Sequence, residues 1–567
     1  MFWLRFAAVF PRALLLVLAL TALVPASGQT IRLAEPPPTA DNLASVLEQG
    51  ARLERERRWA EALSHYEEAL RRHPERADLR ERVVLARAHY EVCRRYSDPA
   101  FLTTLQTLSP RDALAIYEEV LLKIQAHFVQ EPSWPRIVQG GALSVKVAVT
   151  EPAFTSRHLA GVPVSRLVEW QTEVDALAAL AVADRQQASQ RVQQLASTLA
   201  TRYGVPLGAV VMECVSGAVA ALDDYSSFLT GSQMDELFSQ IEGNFVGIGV
   251  ELKTEPQGLA ILSVIPGGPA DVAGLRPGDW ILSVDGRTPP VTASSTLADM
   301  LRGAEGSLVR VGVRQPDGSV RELTITRRRV EIPSVEAVQM LDPQYGIGYF
   351  KLTSFQKTTS RDVDAALWKL HRQGMRCLIL DLRGNPGGLL KAAVDVADKF
   401  VYDGLIVATR GRSPREDFDH RGEVAGTWRV PLIVLIDHDS ASASEILAGA
   451  IRDHRRGTVI GQRSYGKGSV QGIFPLATAN LGVRLTTAQW YTPSGRAISG
   501  GGIAPDILVP LPAADSAVAT SPPVARQAVV TLRPPGPDAG SGAAADPVLE
   551  TALKVARTPS TARRPMP

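Results

Sequence analysis

Apolar and polar positions change rhythm along the chain. Up to about residue 230 the rhythm is helical. Asp112–Phe128 places Leu114, Tyr117, Val120, Leu121, Ile124 and Phe128 on one face at helical spacing. Ala77–Arg95, Leu167–Ala183, Gln186–Thr201 and Met212–Leu222 repeat that signature, while Gly140–Val149 fits strand or helix. Residues 43–76 predict a helical hairpin. Its Gly50, Ala62, Tyr66, Ala69 and Pro74 have the offsets of a tetratricopeptide repeat, with a plain hairpin as the competing reading. This divides the helical part into a TPR-like region, 43–109, and a helical lead-in with an insertion, 110–242.

Over residues 243–329 the rhythm becomes that of short strands: Val246–Leu252, Leu259–Val264, Trp280–Val284, Leu308–Arg314 and Glu322–Arg328. Turns separate them at Pro266-Gly267-Gly268-Pro269, Arg276-Pro277-Gly278-Asp279, Asp285-Gly286 and Pro316-Asp317-Gly318. Asp271–Gly274 and Thr296–Arg302 read as one-turn helices. Over 330–510 strands and helices alternate. Gly346–Leu352 is a strand and Ser360–Gln373 a helix; Cys377–Leu382 is an almost wholly apolar strand, as expected of one covered on both faces. The helix Leu389–Val401, the strands Leu405–Thr409 and Pro431–Asp437, and the helix Ala443–His454 follow. Val470–Pro475 and Val483–Tyr491 read as a strand pair. The last stretch, 511–567, is Ala/Pro/Ser-rich and reads as a disordered tail with a weak helix at Pro547–Arg557.

At 567 residues the chain requires several domains. Its 45% apolar and 21% charged residues are those of a globular protein, and a net charge of +2 gives no reason to expect nucleic acid as partner. Cys93, Cys214 and Cys377 are too scattered for a disulfide framework or metal site and read as buried thiols. Arg5 and Arg12, the apolar run Ala13–Val24 and the small residues Pro25–Gly28 form a secretory signal pattern over 1–28, followed by a Pro-rich linker, 29–42. Export to the periplasm or the exterior is therefore expected; an uncleaved membrane anchor is the alternative.

Candidate chemistry lies where the buried strands end. In open α/β sheets reactive groups gather at the carboxyl ends of strands. Arg383-Gly384-Asn385-Pro386-Gly387-Gly388 follows one such strand and Ser440-Ala441-Ser442-Ala443-Ser444-Glu445 another. The first loop lacks the spacing and lysine of a P-loop. Open N–H groups on Gly387 or Gly388, and on Ala443, would suit an oxyanion hole. Ser442 with Glu445 also reads as a capping box, a purely structural role. Its placement after a buried strand, small neighbours at Ala441 and Ala443, and Lys467 in Tyr465-Gly466-Lys467-Gly468 favour a nucleophile with a lysine base. Burial would lower the lysine's pKa into a useful range, and Gln471 could orient the amine. His438 and His454 bracket the serine turn but lack the placement of a triad histidine. No His/Asp/Glu group has metal-ligand spacing, and no cofactor is expected.

Residues 243–329 resemble a PDZ domain through Gly247-Ile248-Gly249-Val250, Ile265–Ala270 and Ala273-Gly274-Leu275-Arg276-Pro277-Gly278-Asp279. The glycine-framed segment suits capture of a peptide carboxylate and the adjacent strand edge suits pairing with its backbone. Residues 243–510 as a whole resemble a carboxy-terminal processing (tail-specific) protease. The carrying motifs are Leu380–Gly388, Ser440–Ile446, Gly466–Gln471, Tyr491–Arg496 and Gly502–Asp506, with weaker similarity at Leu222–Ser226. The resemblance implies Ser442 as nucleophile, Lys467 as general base and Gln471 as its orienting residue, on a crotonase- or ClpP-like α/β core. It also implies protein or peptide substrates captured by accessible C-terminal tails. An adaptor or self-association role falls to the N-terminal helices. A catalytically silent PDZ/TPR scaffold is the competing function; the intact serine, lysine and glutamine argue against it.

Overall fold

A computed structural model describes residues 43–255, 258–288, 300–423, 427–510 and 546–558. The expected signal segment and linker, most of the short helix at 296–302, and 511–545 and 559–567 of the expected tail lie outside the described residues. Two units divide the chain after Gln49; the first contributes the described residues 43–49, all helical.

The second unit opens with a helical region. After α1 (Leu43–Arg55) come α2 (Trp59–Arg72), α3 (Ala77–Tyr96), α4 (Pro99–Thr107), α5 (Pro110–His127), α6 (Trp134–Ala148), α7 (Pro152–His158), α8 (Val164–Ala178), α9 (Arg185–Tyr203) and α10 (Leu207–Ala220). The ambiguous 140–149 stretch is helical. Local signals explain several starts: Ser109 caps α5 through Asp112 N–H, Asp184 caps α9 through Gln187 N–H, and proline occupies the first turn of α4, α5 and α7. Of the α5 face foreseen from periodicity, Tyr117, Val120, Leu121, Ile124 and Phe128 are buried and Leu114 is half-buried; with Ile116 they pack with Trp170 and Leu199 in one core. Gly50 lies beneath the Tyr66 ring, where a Cβ would come within 2.2 Å of Cζ. Arg95 and Glu213, both buried, join α3 to α10 through an ion pair at 2.5 Å. Cys214 and Cys377 are buried as expected; Cys93 is half-buried, its Sγ donating to Glu151 Oε2 at 3.3 Å.

A short strand β1 (Ser227–Leu229) and the helix α11 (Gly231–Glu242) lead into the β-rich domain. The expected single strand Val246–Leu252 is two, β2 (Asn244–Gly247) and β3 (Val250–Glu255), because Gly249 takes φ +81° and turns the backbone out of line. With β4 (Gly258–Val264), the one-turn helix α12 (Pro269–Val272), β5 (Trp280–Val284), β6 (Leu308–Arg314) and β7 (Val320–Thr326), a five-stranded antiparallel sheet forms in the order β3-β4-β5-β6-β7. β2 pairs with β8 (Arg328–Glu331) as the ribbon leading to the core.

The core contains β9 (Val335–Asp342), β10 (Ile347–Leu352), α13 (Thr359–Arg372), β11 (Cys377–Asp381), α14 (Leu390–Asp398), β12 (Gly404–Gly411), β13 (Phe418–Gly422), β14 (Leu432–Ile436), α15 (Ala443–Asp453), β15 (Thr458–Gly461), β16 (Ser469–Pro475), β17 (Gly482–Tyr491) and β18 (Ile507–Leu508). Its six-stranded sheet runs β18-β15-β14-β11-β10-β9, parallel except at β9. β16 and β17 form the expected pair inside a second sheet that also contains β1, β12 and β13. Within 511–567, residues 546–558 are ordered by packing rather than forming only a weak helix. The helix foreseen at Pro547–Arg557 (α16) buries Val548 and Ala552 against Ile379, Ile433, Leu435 and Ile460 of the six-stranded sheet. That face of the sheet is apolar, so covering it removes more hydrocarbon from water than an isolated weak helix could.

Candidate active site

β11 and β14 lie side by side, Leu380 opposite Val434, and all five residues of each are buried. Their carboxyl ends deliver the Leu382–Gly388 loop and the Asp437–Ser442 turn to the same place, as the sequence implied. Asp437 ties them together by accepting the Gly384 N–H at 3.0 Å. Asn385, fully buried, is the loop's anchor. Its Nδ2 donates to Leu352 O at 2.8 Å, its Oδ1 accepts Gly387 N–H at 2.9 Å, and its carbonyl accepts Ala441 N–H at 3.0 Å. Arg383 crosses to Asp381 at 2.7 Å and to Asp546, just before α16, at 2.9 Å.

The hydrogen bonds separate the three serines that local pattern alone leaves equivalent. Ser440 Oγ donates to Leu382 O at 2.9 Å and Ser444 Oγ to Asn385 O at 2.9 Å, and both residues are fully buried. Ser442 alone is only half-buried. Its backbone adopts φ +55°, ψ −113°, a conformation that costs a non-glycine residue about 1–3 kcal/mol and that concentrates at functional turns.

Gly387 packs against this turn so closely that a Cβ would lie 2.6 Å from Ala441 O and 2.9 Å from Ala443 N. Its own N–H is already committed to Asn385. Among the described residues, neither the Gly388 N–H nor the Ala443 N–H has a hydrogen-bond partner. Gly388 is held at φ +144° by a bridge to Phe355, where a Cβ would meet Phe355 O at 2.1 Å.

Glu445 does more than cap α15. Fully buried, it accepts Ser442 N–H at 2.7 Å, Gly466 N–H at 2.7 Å, Lys467 N–H at 2.9 Å and Ser464 Oγ–H at 2.6 Å. Burial raises its pKa, and the four donors work against that rise. Capping-box spacing was a signal for the Ser442 contact. Nothing local pointed to the Ser464–Lys467 contacts.

Trp490 secures the lysine loop, its Nε1 donating to Lys467 O at 2.9 Å. Burial, followed by the charge of Arg484, lowers the Lys467 amine to about 8, while Glu445 and Asp223 oppose the shift. Nζ lies 5.1 Å from the Tyr225 ring centroid and makes no hydrogen bond among the described residues. The structure therefore brings Ser442 and Lys467 to one carboxylate without a direct hydrogen bond between their side chains. Gln471 Nε2 donates to Ser469 Oγ at 2.8 Å, and no hydrogen bond joins the Gln471 side-chain oxygen to the lysine amine among the described residues. His454 is engaged by Leu405 O at 2.7 Å, and His438 faces Asp439 at 3.7 Å.

In the β-rich domain, β3 pairs only with β4 among the described residues and stands at the end of the sheet order. Ile248 O and Gly249 O accept from Ala270 and Ile265, whereas the N–H groups of Ile248 and Gly249 have no partner among the described residues.

Residues 346–509 match the family model of peptidase family S41, and residues 261–315 match that of the PDZ domain. Fold elements and site together define a PDZ-containing serine-type peptidase. The carboxy-terminal-processing protease of Bartonella bacilliformis is 39% identical over 317 residues, covering 53% of this chain and 70% of that protein. The carboxyl-terminal-processing protease of Synechocystis is 36% identical over 344 residues, covering 59% and 80% respectively. The chain belongs to peptidase family S41, among the carboxy-terminal-processing proteases. A solved photosystem II D1 C-terminal processing protease is 26% identical, with a TM-score of 0.38 over 70% of this chain and 93% of that one. Among the described residues, no helix is long and apolar enough to cross a membrane.

Proposed function

We propose that this peptidase cleaves protein substrates near their C-termini, with Ser442 as nucleophile and Lys467 as general base. The observation that carries the reading is the shared acceptor: Ser442 and Lys467 both donate their main-chain N–H groups to Glu445 Oε2. The neutral lysine takes the Ser442 hydroxyl proton as Oγ attacks the scissile carbonyl carbon. Ammonium Lys467 then gives that proton to the departing amine, leaving an acyl-enzyme. Water, deprotonated by the same amine, attacks the ester and returns Ser442. The Oγ–Nζ hydrogen bond forms in the substrate complex, where catalytic hydrogen bonds commonly tighten. Gln471, with its Nε2 on Ser469, offers Oε1 to orient the amine.

Gly388 and Ala443 supply the oxyanion donors, and Gly387 contributes by close packing. The Gly247–Val250 segment receives the substrate tail and the β3 edge pairs with it, supported by the unpartnered N–H groups of Ile248 and Gly249. The mostly parallel six-stranded sheet supports a crotonase- or ClpP-like core. The Gly50–Tyr66 packing supports a TPR-like hairpin with an adaptor or self-association role. The charged, apolar and small-residue pattern at 1–28 supports export.

The test is cleavage of an unstructured tailed protein by wild type, Ser442→Ala and Lys467→Ala. Loss of cleavage in both variants supports the dyad; retention of the wild-type rate in either removes that residue's assigned role.

A further inference from the structure

The lysine amine does not sit in featureless apolar surroundings; it faces the Tyr225 ring, 5.1 Å from the centroid. A cation over an aromatic face is attracted by the ring quadrupole, most strongly where water is excluded. The backbone that carries the ring is held from several sides. Asp223 Oδ1 accepts the N–H groups of Tyr225 at 3.0 Å and Ser226 at 2.7 Å. Arg484 Nε, from β17, donates to Tyr225 O at 3.1 Å. The next residue back, Asp224, is bound at 2.6 Å by Arg87 of α3, which also holds Glu67 of α2 at 2.9 Å. A second contact from α2 reaches the lysine loop itself: the Arg71 guanidinium lies 5.8 Å from the Tyr465 ring centroid, two residues before Lys467. The helical region thus reaches the base side of the active site through Tyr225 and Tyr465.

We propose that Tyr225 is a positioning residue for Lys467, its ring face holding the amine and favouring the ammonium form between proton transfers. The proposal rests on the reading of Lys467 as the base. The other charged groups facing the amine are Arg484 of β17, which opposes the ammonium, and Glu445 of α15 and Asp223, which favour it. Burial pushes the Tyr225 phenol up, so the ring acts as a neutral aromatic at working pH. A ring of the same shape but weaker quadrupole should therefore release the proton at lower pH.

The experiment compares pH profiles of kcat/KM for wild type, Tyr225→Phe, Tyr225→3,4,5-trifluorophenylalanine and Lys467→Ala in the full chain. Melting temperatures serve as the fold control. The expected result is an acid limb in the trifluoro variant displaced downward from that of Tyr225→Phe by about half a pH unit, with equal melting temperatures. Tyr225→Leu, which keeps the amine dry but removes the ring, should displace the limb the same way and serves if the fluorinated chain does not fold. An unmoved limb in the variant that folds, with Lys467→Ala inactive, overturns the role of Tyr225 and leaves the base assignment standing. Wild-type cleavage by Lys467→Ala overturns both.

Discussion

Ser442 and Lys467 donate their main-chain N–H groups to the same oxygen of Glu445, at 2.7 and 2.9 Å. The Ser442 turn and the lysine loop are separate segments, and this one buried carboxylate joins them. Glu445→Gln replaces an acceptor oxygen with an amide that faces N–H donors. The expected outcome is a fall in kcat of about a hundredfold, from displacement of reacting groups, and a stability loss of about 1–3 kcal/mol from unsatisfied buried donors. Steady-state kinetics and urea unfolding measure the two effects separately; an unchanged kcat would show that the carboxylate only caps the helix.

The lowered pKa of Lys467 sets a pH dependence. With the free amine as base, kcat/KM should rise with pH and level off above about 8. Arg484 contributes to the lowering, so Arg484→Gln should move that limb upward and reduce activity at neutral pH. The sign for stability follows from the same shift. Between about 8 and the ordinary 10.5 the unfolded chain binds more protons than the folded one, so this group's contribution to stability rises with pH across that window. Profiles of kcat/KM for both proteins check the kinetic part. A limb that stays in place in Arg484→Gln would separate Arg484 from the base.

Gly388→Ala would place a Cβ 2.1 Å from Phe355 O. The backbone must shift, carrying the free N–H with it. With Gly388 as the proposed oxyanion donor, the variant should lower kcat by about 10²–10³-fold, and KM should change much less. A variant that folds and keeps its kcat would assign the oxyanion site elsewhere.

The docking of α16 has an apolar and a polar component. Asp546 pairs with Arg383 in a partly exposed contact and also caps α16 by accepting the Val548 and Leu549 N–H groups, so Asp546→Ala should cost about 1–2 kcal/mol, most of it from the cap. Val548 is buried against the sheet, and Val548→Asp should cost at least about 2 kcal/mol and make the 546–558 segment protease-sensitive. Urea midpoints of the two variants rank the contributions; the reverse order would make the polar contacts of Asp546 the principal tether.

The chemistry was largely legible in the sequence because it sits in compact motifs after runs of buried strand residues. Composition and periodicity could not separate Ser440, Ser442 and Ser444. Their hydroxyls are distinguished by partners on Leu382 and Asn385, which come from another strand's loop. The same limit hid the reach of Glu445 to Ser464, Gly466 and Lys467. It also hid the commitment of the Gly387 N–H to Asn385, which leaves Gly388 as the open donor of the pair. Local pattern located the C-terminal helix, but its stability comes from tertiary burial on the sheet. The expected strand Val246–Leu252 merges β2 and β3, because alternation reports side-chain faces and is silent on the φ of Gly249.

The backbone of Ser442 has a consequence for the energetics of the whole protein. At φ +55°, ψ −113° a glycine relieves steric opposition that serine and alanine both retain. Ser442→Gly should therefore be inactive yet more thermostable than Ser442→Ala, despite glycine's greater freedom when unfolded. A melting comparison of the two tests it. If so, selection for resistance to unfolding alone would erode the proposed nucleophile, and only continued demand for cleavage would keep a side chain at that position.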